Sequence, residues 1–507
     1  MPNYGFVIDL KKCIGCHACT IACKAEHDIP VGVNRCWVKT VEKGRFPDAE
    51  RLFLPVLCNQ CADAPCMKIC PTSALFRRHD GIVDLHGDSC IGCKACMAAC
   101  PYDQLFIDPN TRTAEKCNFC ANRVENHLEP ACVSVCPTEC RIFGDMDDPT
   151  TEVAQIVERE AFTVRKPEKG TGPKVFYLAA DESIIRPEIA SRPFMFKEGG
   201  VHLRPLGSKD PDPQSPGDPR VDYDVPHKKA WGIDLVLYLL TKGISTGALF
   251  IGAILWLMGD RSALSGLAAP LVASVFSALT AVVLVMDLER PERFYYILTR
   301  PNWSSWMARG AFILMAHGAV GGLWVLAWLL GAPSLITVLA VVTVPVALAA
   351  TAYTGLLFAQ GLARDLWQGP FPTIDLIAQA AMEGAAALLI AALFTTVDPW
   401  VVRTLGWTLA GATSLHLLIL VSENLLMPSP TLHHELAVRA IRRGAYARMF
   451  WVGALGLGGL APLALFAVAA TTGFSMTALI PMAIVTLAGS LAWEYIWVEA
   501  GQCVPIS

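Results

Sequence analysis

Eighteen of the 19 cysteines fall between Cys13 and Cys140, a density that implies either a disulfide scaffold or metal ligation by thiolates. Spacing separates the two. Read in order, there are four runs of four: Cys13, Cys16, Cys19 and Cys23; Cys58, Cys61, Cys66 and Cys70; Cys90, Cys93, Cys96 and Cys100; Cys117, Cys120, Cys132 and Cys136. In the first and third runs a tight C-x2-C-x2-C loop can wrap three corners of an iron–sulfur cubane, while the cysteine three residues on, carried onward by a helix, reaches a neighbouring cluster. Two runs therefore serve two clusters mutually. Zinc ribbons use paired CxxC knuckles to build tetrahedral S4 sites and do not need a third and fourth cysteine at fixed offsets before a proline. Here three runs end in Cys-Pro, at Pro71, Pro101 and Pro137; the first ends in Cys23-Lys24. The second run has extra residues before its third cysteine and the fourth a long insertion, which lengthen loops without removing a ligand. Cys36, Cys140 and Cys503 are left over and read as ordinary small apolar residues. The first run opens close behind Met1 with no secretory or twin-arginine leader before Tyr4, so the thiols are expected to stay reduced and bind metal.

All sixteen cysteines together make residues 1–195 resemble the four-cluster electron-transfer subunit of the complex iron–sulfur molybdoenzymes, the family of polysulfide, dimethyl sulfoxide and nitrate reductases and formate dehydrogenases. The resemblance implies a duplicated ferredoxin-like α+β fold with four 4Fe–4S clusters. It pairs the first run with the fourth and the second with the third: Cys13, Cys16, Cys19 and Cys136; Cys117, Cys120, Cys132 and Cys23; Cys58, Cys61, Cys66 and Cys100; Cys90, Cys93, Cys96 and Cys70. It further implies that the outer runs face a catalytic subunit and that the Cys90/Cys93/Cys96/Cys70 cluster lies nearest the membrane.

The elements that must hold these loops change character along the chain. Only 17% of the 507 residues are charged, where a soluble chain of this size would carry about a quarter. The deficit is local: residues 1–229 hold 29 Lys and Arg with 32 Asp and Glu, residues 230–507 only 12 and 13. Net charge is near neutral and there is no Gly-rich phosphate loop, so neither nucleic-acid binding nor nucleotide chemistry is indicated. Residues 196–229, rich in Pro, Gly and Asp and without apolar periodicity, read as a surface tether. From Trp231 onward, apolar stretches able to cross about 30 Å of hydrocarbon recur at roughly 231–258, 264–288, 305–331, 333–360, 374–396, 399–426, 447–472 and 475–497, predicting an all-α membrane domain over 230–507 with eight spans and both ends on one side. On the cluster side, eleven Lys and Arg flank helix ends against two opposite, Arg261 and Arg403. That bias favours an inner-membrane protein whose clusters face the cytoplasm.

The sequences MDLERPERFYYIL (286–298), AYTGLL (352–357) and RDLWQGP (364–370) make this half similar to the NrfD/polysulfide-reductase membrane subunit, an eight-helix quinone-binding anchor. Fusion of the two subunits departs from the usual separate polypeptides. Tyr353, about two turns inside its helix, matches a tyrosine that in that family contacts quinone. Asp287 and Arg293 sit at the mouth of the second span and Asp365 at that of the fourth, placed for headgroup binding or proton transfer. Lys242 and Glu383 lie roughly ten residues from the cluster-side ends of their helices, about 15 Å deep. Charges at that depth are costly unless paired, so the two are expected to neutralise one another and to serve quinone binding or proton transfer, Lys242 with Tyr353 at the quinone itself. His317 and His416 read as hydrogen-bonded packing residues.

The expected function is the iron–sulfur and quinone-reactive component of a membrane oxidoreductase, exchanging electrons with menaquinone or ubiquinone and with a partner catalytic subunit that carries a molybdenum or tungsten pterin. Two rivals remain on the sequence alone: a quinol oxidoreductase module of the alternative complex III type, and a non-catalytic proton- or ion-translocating coupling subunit.

Overall fold

The computed structural model describes residues 2–191, 195–197, 200–202 and 217–507. Two near-identical heptapeptides, CIGCHAC at Cys13 and CIGCKAC at Cys90, set the local pattern. In each the glycine has φ +68° (Gly15, Gly92) and the residue after the second cysteine is also left-handed (His17, φ 60°; Lys94, φ 61°). Glycine tolerates that backbone without penalty, and the turn it allows launches the short helices Ala18–Glu26 and Ala95–Ala99. These loops hang on a four-stranded sheet ordered Arg141–Asp145, Tyr4–Asp9, Val175–Leu178, Phe162–Thr163. Tyr4–Asp9 is antiparallel to Arg141–Asp145 and parallel to Val175–Leu178. Phe6, Val7 and Ile8 are fully buried within it.

The hairpin Cys36–Gly44 and Glu50–Leu57 gains a third strand from Gly217–Tyr223. That is a correction to the tether expected over 196–229: its C-terminal part is antiparallel to Cys36–Gly44, and Val221 is buried. A strand on a sheet edge draws its stability from main-chain pairing, which needs no apolar period. Positions 203–216 of that stretch lie outside the described residues.

Among the described residues, eight helices are long and apolar enough to cross a membrane: Ile233–Leu257, Leu264–Met286, Trp306–Leu329, Pro333–Ala359, Pro372–Phe394, Pro399–Leu426, Met449–Thr471 and Met476–Cys503. The first and fifth form the central pair. Gly247 and Gly384 meet so closely that a Cβ on either would overlap the other helix's backbone, the small-residue contact by which helices associate in lipid.

The eighth helix runs past the expected end near residue 497 to Cys503, because its last polar side chains are satisfied by the segment entering the first span. Glu499 pairs with Lys229 at 2.5 Å, and Gln502 exchanges two hydrogen bonds of 3.0 Å with the Trp231 backbone. Arg364 donates to the carbonyls of Gln502 and Val504, and Arg165 of the cluster domain donates to that of Ile506. His227 completes this knot, with Nδ1 2.5 Å from Asp103 and Nε2 3.2 Å from Asp224. Burial pulls its pKa down, but Asp224 and Asp103 outweigh that and raise it to about 9.

A histidine raised from 6.5 to about 9 contributes stability that is fully present below pH 6.5 and lost as pH rises through 9, a contribution on the order of 3 kcal/mol. Thermal unfolding of the detergent-solubilised protein between pH 6 and 9.5 checks this. His227→Gln is expected to unfold earlier at pH 6 and to lose part of the wild-type decline toward pH 9.5; parallel curves for the two proteins would remove His227 from the account.

Candidate functional site: thiol cavities above a buried polar cluster

Three sets of four thiols each surround a cavity: Cys13, Cys16, Cys19 and Cys136, joined there by Cys140; Cys58, Cys61, Cys66 and Cys100; Cys70, Cys90, Cys93 and Cys96. A fourth set, Cys23, Cys117, Cys120 and Cys132, is close enough for its thiols to perturb one another's ionisation. Burial pushes Cys61, Cys100 and Cys23 up to about 12, so thiolate formation here goes together with metal binding. Among the described residues no three His, Cys, Asp or Glu side chains converge closely enough to hold one metal ion. Sulfurs around a cavity, rather than around a point, fit a multi-iron cubane and not a lone zinc.

The Cys70/Cys90/Cys93/Cys96 cavity is roofed by the membrane half. The amides of Glu289 and Arg290 donate to the carbonyls of Gly92 and Ile91, and Arg293 donates to those of Gly87 and Cys90 at 2.8 and 3.0 Å. Lys94 pairs with Asp287 at 3.1 Å and Glu289 at 3.5 Å; burial outweighs the lysine and leaves the Asp287 pKa raised. On the other flank, Asn302 donates to the carbonyls of Cys70 and Met67, and Ser305 to that of Ile69. A Cβ on Gly92 would lie 2.5 Å from that of Glu289, whereas on the equivalent Gly15 it would strike Phe53 of the cluster domain itself. Asp365 belongs to the same seam, bonded to Lys169 and to Thr431. Asp287, Arg293 and Asp365 thus fasten the two halves together rather than joining the deeper residues.

Below the roof, the Trp231 indole donates to the Cys93 carbonyl at 3.2 Å and packs against Phe358 and Trp367. One buried core runs from Cys70, Cys90 and Cys96 through these aromatics to Tyr238 and Tyr353. The Tyr353 and Tyr238 hydroxyls are hydrogen-bonded, Tyr238 also meets Thr354 Oγ1 at 2.9 Å, and Lys242 Nζ donates to that same oxygen at 2.6 Å. Gly310 leaves room for the Tyr353 ring, which a Cβ there would hit.

Lys242 does not close a direct ion pair with Glu383. Glu383 accepts from Ser490 and faces Glu494, and Lys242 feels both carboxyls across a gap. Reasoning from sequence missed Glu494 because the eighth span was ended near residue 497, which put it at a helix mouth; the helix continues to Cys503 and holds Glu494 about 14 Å inside. Asp375 was missed likewise. It meets His416 Nδ1 at 2.6 Å, Gln379 at 2.7 Å and the Trp493 indole at 3.3 Å. His317 bonds Ser245 at 3.1 Å.

The profile described as "Polysulphide reductase, NrfD" matches residues 224–506, and that described as "4Fe-4S dicluster domain" matches residues 49–146. The N-terminal part is 42% identical over 201 residues to a subunit of the tetrathionate reductase of Salmonella typhimurium, covering 39% of this chain and 80% of the relative. It is 42% identical over 179 residues to a component of the polysulfide reductase of Wolinella succinogenes, covering 35% and 94%. It is 36% identical over 222 residues to the arsenate respiratory reductase iron–sulfur subunit of a Shewanella species, covering 34% and 95%.

Gly92→Ala is expected to loosen the roof, since the left-handed turn and the Glu289 contact both oppose a methyl group, at about 1–3 kcal/mol. Limited proteolysis between the halves should speed up while iron content changes little. Cleavage at the wild-type rate would mean the seam absorbs the methyl.

Proposed function

Since this protein belongs to the polysulphide reductase NrfD family, with an iron–sulfur electron-transfer subunit of the reductase type fused ahead of it, we propose that it carries electrons between a substrate site on a partner polypeptide and a quinone bound beside Tyr353. The observation that carries this reading is the unbroken buried core from the Cys70/Cys90/Cys93/Cys96 cavity through Trp231, Phe358 and Trp367 to Tyr353. Four bound 4Fe–4S clusters, one per set of four cysteines, supply one-electron transfer along the N-terminal half. The set nearest the membrane is the one whose loop carbonyls are held by Arg293, Asn302 and Trp231.

Reducing a quinone adds two electrons and two protons, so the headgroup needs hydrogen-bond partners and a proton supply. Tyr353 and Tyr238 present two hydroxyls at the end of the aromatic path, and Lys242 stands behind them through Thr354. Glu383 and Glu494 face each other one step further. Asp375 with His416 lies about 12 Å closer to the cluster-side surface along the same helix, a ladder of ionisable groups from that surface to the tyrosines. Asp287, Arg293 and Asp365 act by holding the two halves in register. Menaquinone or ubiquinone serves as the quinone. The named relatives are components of tetrathionate, polysulfide and arsenate reductases, and on that likeness the partner is a catalytic subunit with a molybdenum or tungsten pterin. The clusters face the cytoplasm, on the Lys and Arg bias at the helix ends.

Tyr353→Phe keeps the ring and removes the hydroxyl. It is expected to slow quinone-linked turnover about tenfold or more, with about sixteen iron per chain retained. Unchanged quinone kinetics would return Tyr353 to packing. For Lys242 and Glu383, each single neutral substitution is expected to harm assembly or turnover and the pair to do less than the sum; strict additivity would uncouple them. A reporter fused through a flexible linker after Ser507 is expected to be active if it is of the kind that works only in the cytoplasm and silent if it is of the kind that works only in the periplasm; the reverse pattern would refute that orientation.

A further inference from the structure

Arg141 opens the strand Arg141–Asp145 beside Ile8, and its side chain points inward, with the residue only 2% exposed. A guanidinium keeps its charge in proteins, and a buried charge needs an opposite one. Among the described residues no carboxylate forms an ion pair with Arg141, and none of its three side-chain nitrogens has an oxygen or nitrogen acceptor. What faces it is sulfur. It lines the cavity of Cys13, Cys16, Cys19 and Cys136, and the groups acting on it most strongly are the thiols of Cys36, Cys132, Cys19 and Cys140. Cys19 belongs to one set of four and Cys132 to another, so the cation stands between two sets.

The leftover cysteines of this region are not ordinary apolar residues. Cys140 Sγ lies 3.5 Å from Cys136 Sγ and lines the same cavity as Cys13; Cys36 shares the buried core of Cys19 and Cys132. Each thiol thus stands beside ligand sulfurs.

We propose that Arg141 is the built-in counter-charge of the iron–sulfur groups at Cys13/Cys16/Cys19/Cys136 and Cys23/Cys117/Cys120/Cys132, and that with the Cys140 and Cys36 thiols it makes both easier to reduce. The inference rests on the reading that these sets hold 4Fe–4S clusters. Taking up one electron adds one negative charge to a thiolate-lined cavity, and a fixed buried cation and neighbouring S–H groups stabilise that added charge. The membrane-proximal set differs in how its cations are held: Lys94 is matched by Asp287 and Glu289, and Arg293 is turned onto the carbonyls of Gly87 and Cys90.

The full-length protein is titrated with dithionite against redox mediators and the one-electron transitions are followed by electron paramagnetic resonance. Cys16→Ser, at an exposed ligand position, marks the signal of the first set. In Arg141→Gln the transitions of the two sets flanking it are expected to move to more negative potential, by at least about tenfold in the reduction equilibrium, or about 59 mV for one electron. The other two are expected to stay in place, and Arg141→Lys to restore the wild-type values. Full iron with unchanged potentials in Arg141→Gln, or an equal shift of all four transitions, overturns the proposal. If Arg141→Gln purifies with less iron, Arg141→Lys decides: full iron at wild-type potential supports the counter-charge, and iron loss there too overturns it, because shape rather than charge is then what the site requires. Failure of the underlying reading looks different, as a Cys16→Ser protein whose iron content and spectrum match wild type.

Discussion

Everything in this protein depends on a loop of three cysteines being covered, carbonyl by carbonyl, by the membrane half. The backbone of Glu289 and Arg290 meets that of Ile91 and Gly92, while Arg293, Asn302 and Trp231 take the carbonyls of Cys90, Cys70 and Cys93. A loop wound around a cavity turns its carbonyls outward, and buried carbonyls left unpaired are expensive. The membrane half supplies the missing donors, and in doing so fixes the register in which aromatic side chains continue the core toward the tyrosines. The pseudo-equivalent loop at Cys13 has no such roof: Ile14 and Cys16 are exposed there. Two copies of one sequence pattern thus acquire different surroundings, one closed by the membrane half and one left exposed.

Inside the bilayer the same accounting governs the charges. Lys242, Glu383, Glu494 and Asp375 are all buried, and each is met by a polar group from a different helix: Thr354, Ser490, the facing carboxyl, and His416 with Trp493. That requirement selects the first, fourth, fifth, sixth and eighth spans as the polar interior. The second and third present long apolar faces outward, as at Leu279, Val282, Leu323 and Leu326, where they need only satisfy lipid.

Much of this was legible in the residues, and where it was not the reason is physical. Cysteine spacing has covalent geometry behind it, so the four runs could be read directly, whereas their regrouping into sets of four and the α+β character of their domain came with the family resemblance. Eight spans followed from length and apolarity alone. Tyr353, Lys242 and Glu383 stood out because each breaks a strong local pattern. Glu494 did not, since Glu499 and Gln502 made the end of its helix look like a surface; only their pairing with Lys229 and Trp231, some 270 residues away in sequence, shows the helix continuing. Asp287, Arg293 and Asp365 were visible as charges at helix mouths, but whether such a charge meets a proton or a backbone carbonyl depends on the domain lying above it, which no local pattern encodes. The same holds for the arginine excess on the cluster side: Arg290, Arg293, Arg300 and Arg364 bond to the cluster domain or the C-terminal tail, which leaves seven against two.

The knot beyond the eighth helix bears on how the two halves are held. Val504 and Ile506 carry the carbonyls that Arg364 and Arg165 hold, and Ser507 reaches His227, so one short strap is tied at the same time to the membrane half, to the cluster domain and to the segment leading into the first span. Drawing any one of the three away loads the contacts of the other two, and the strap therefore makes the seam yield as a unit rather than bond by bond.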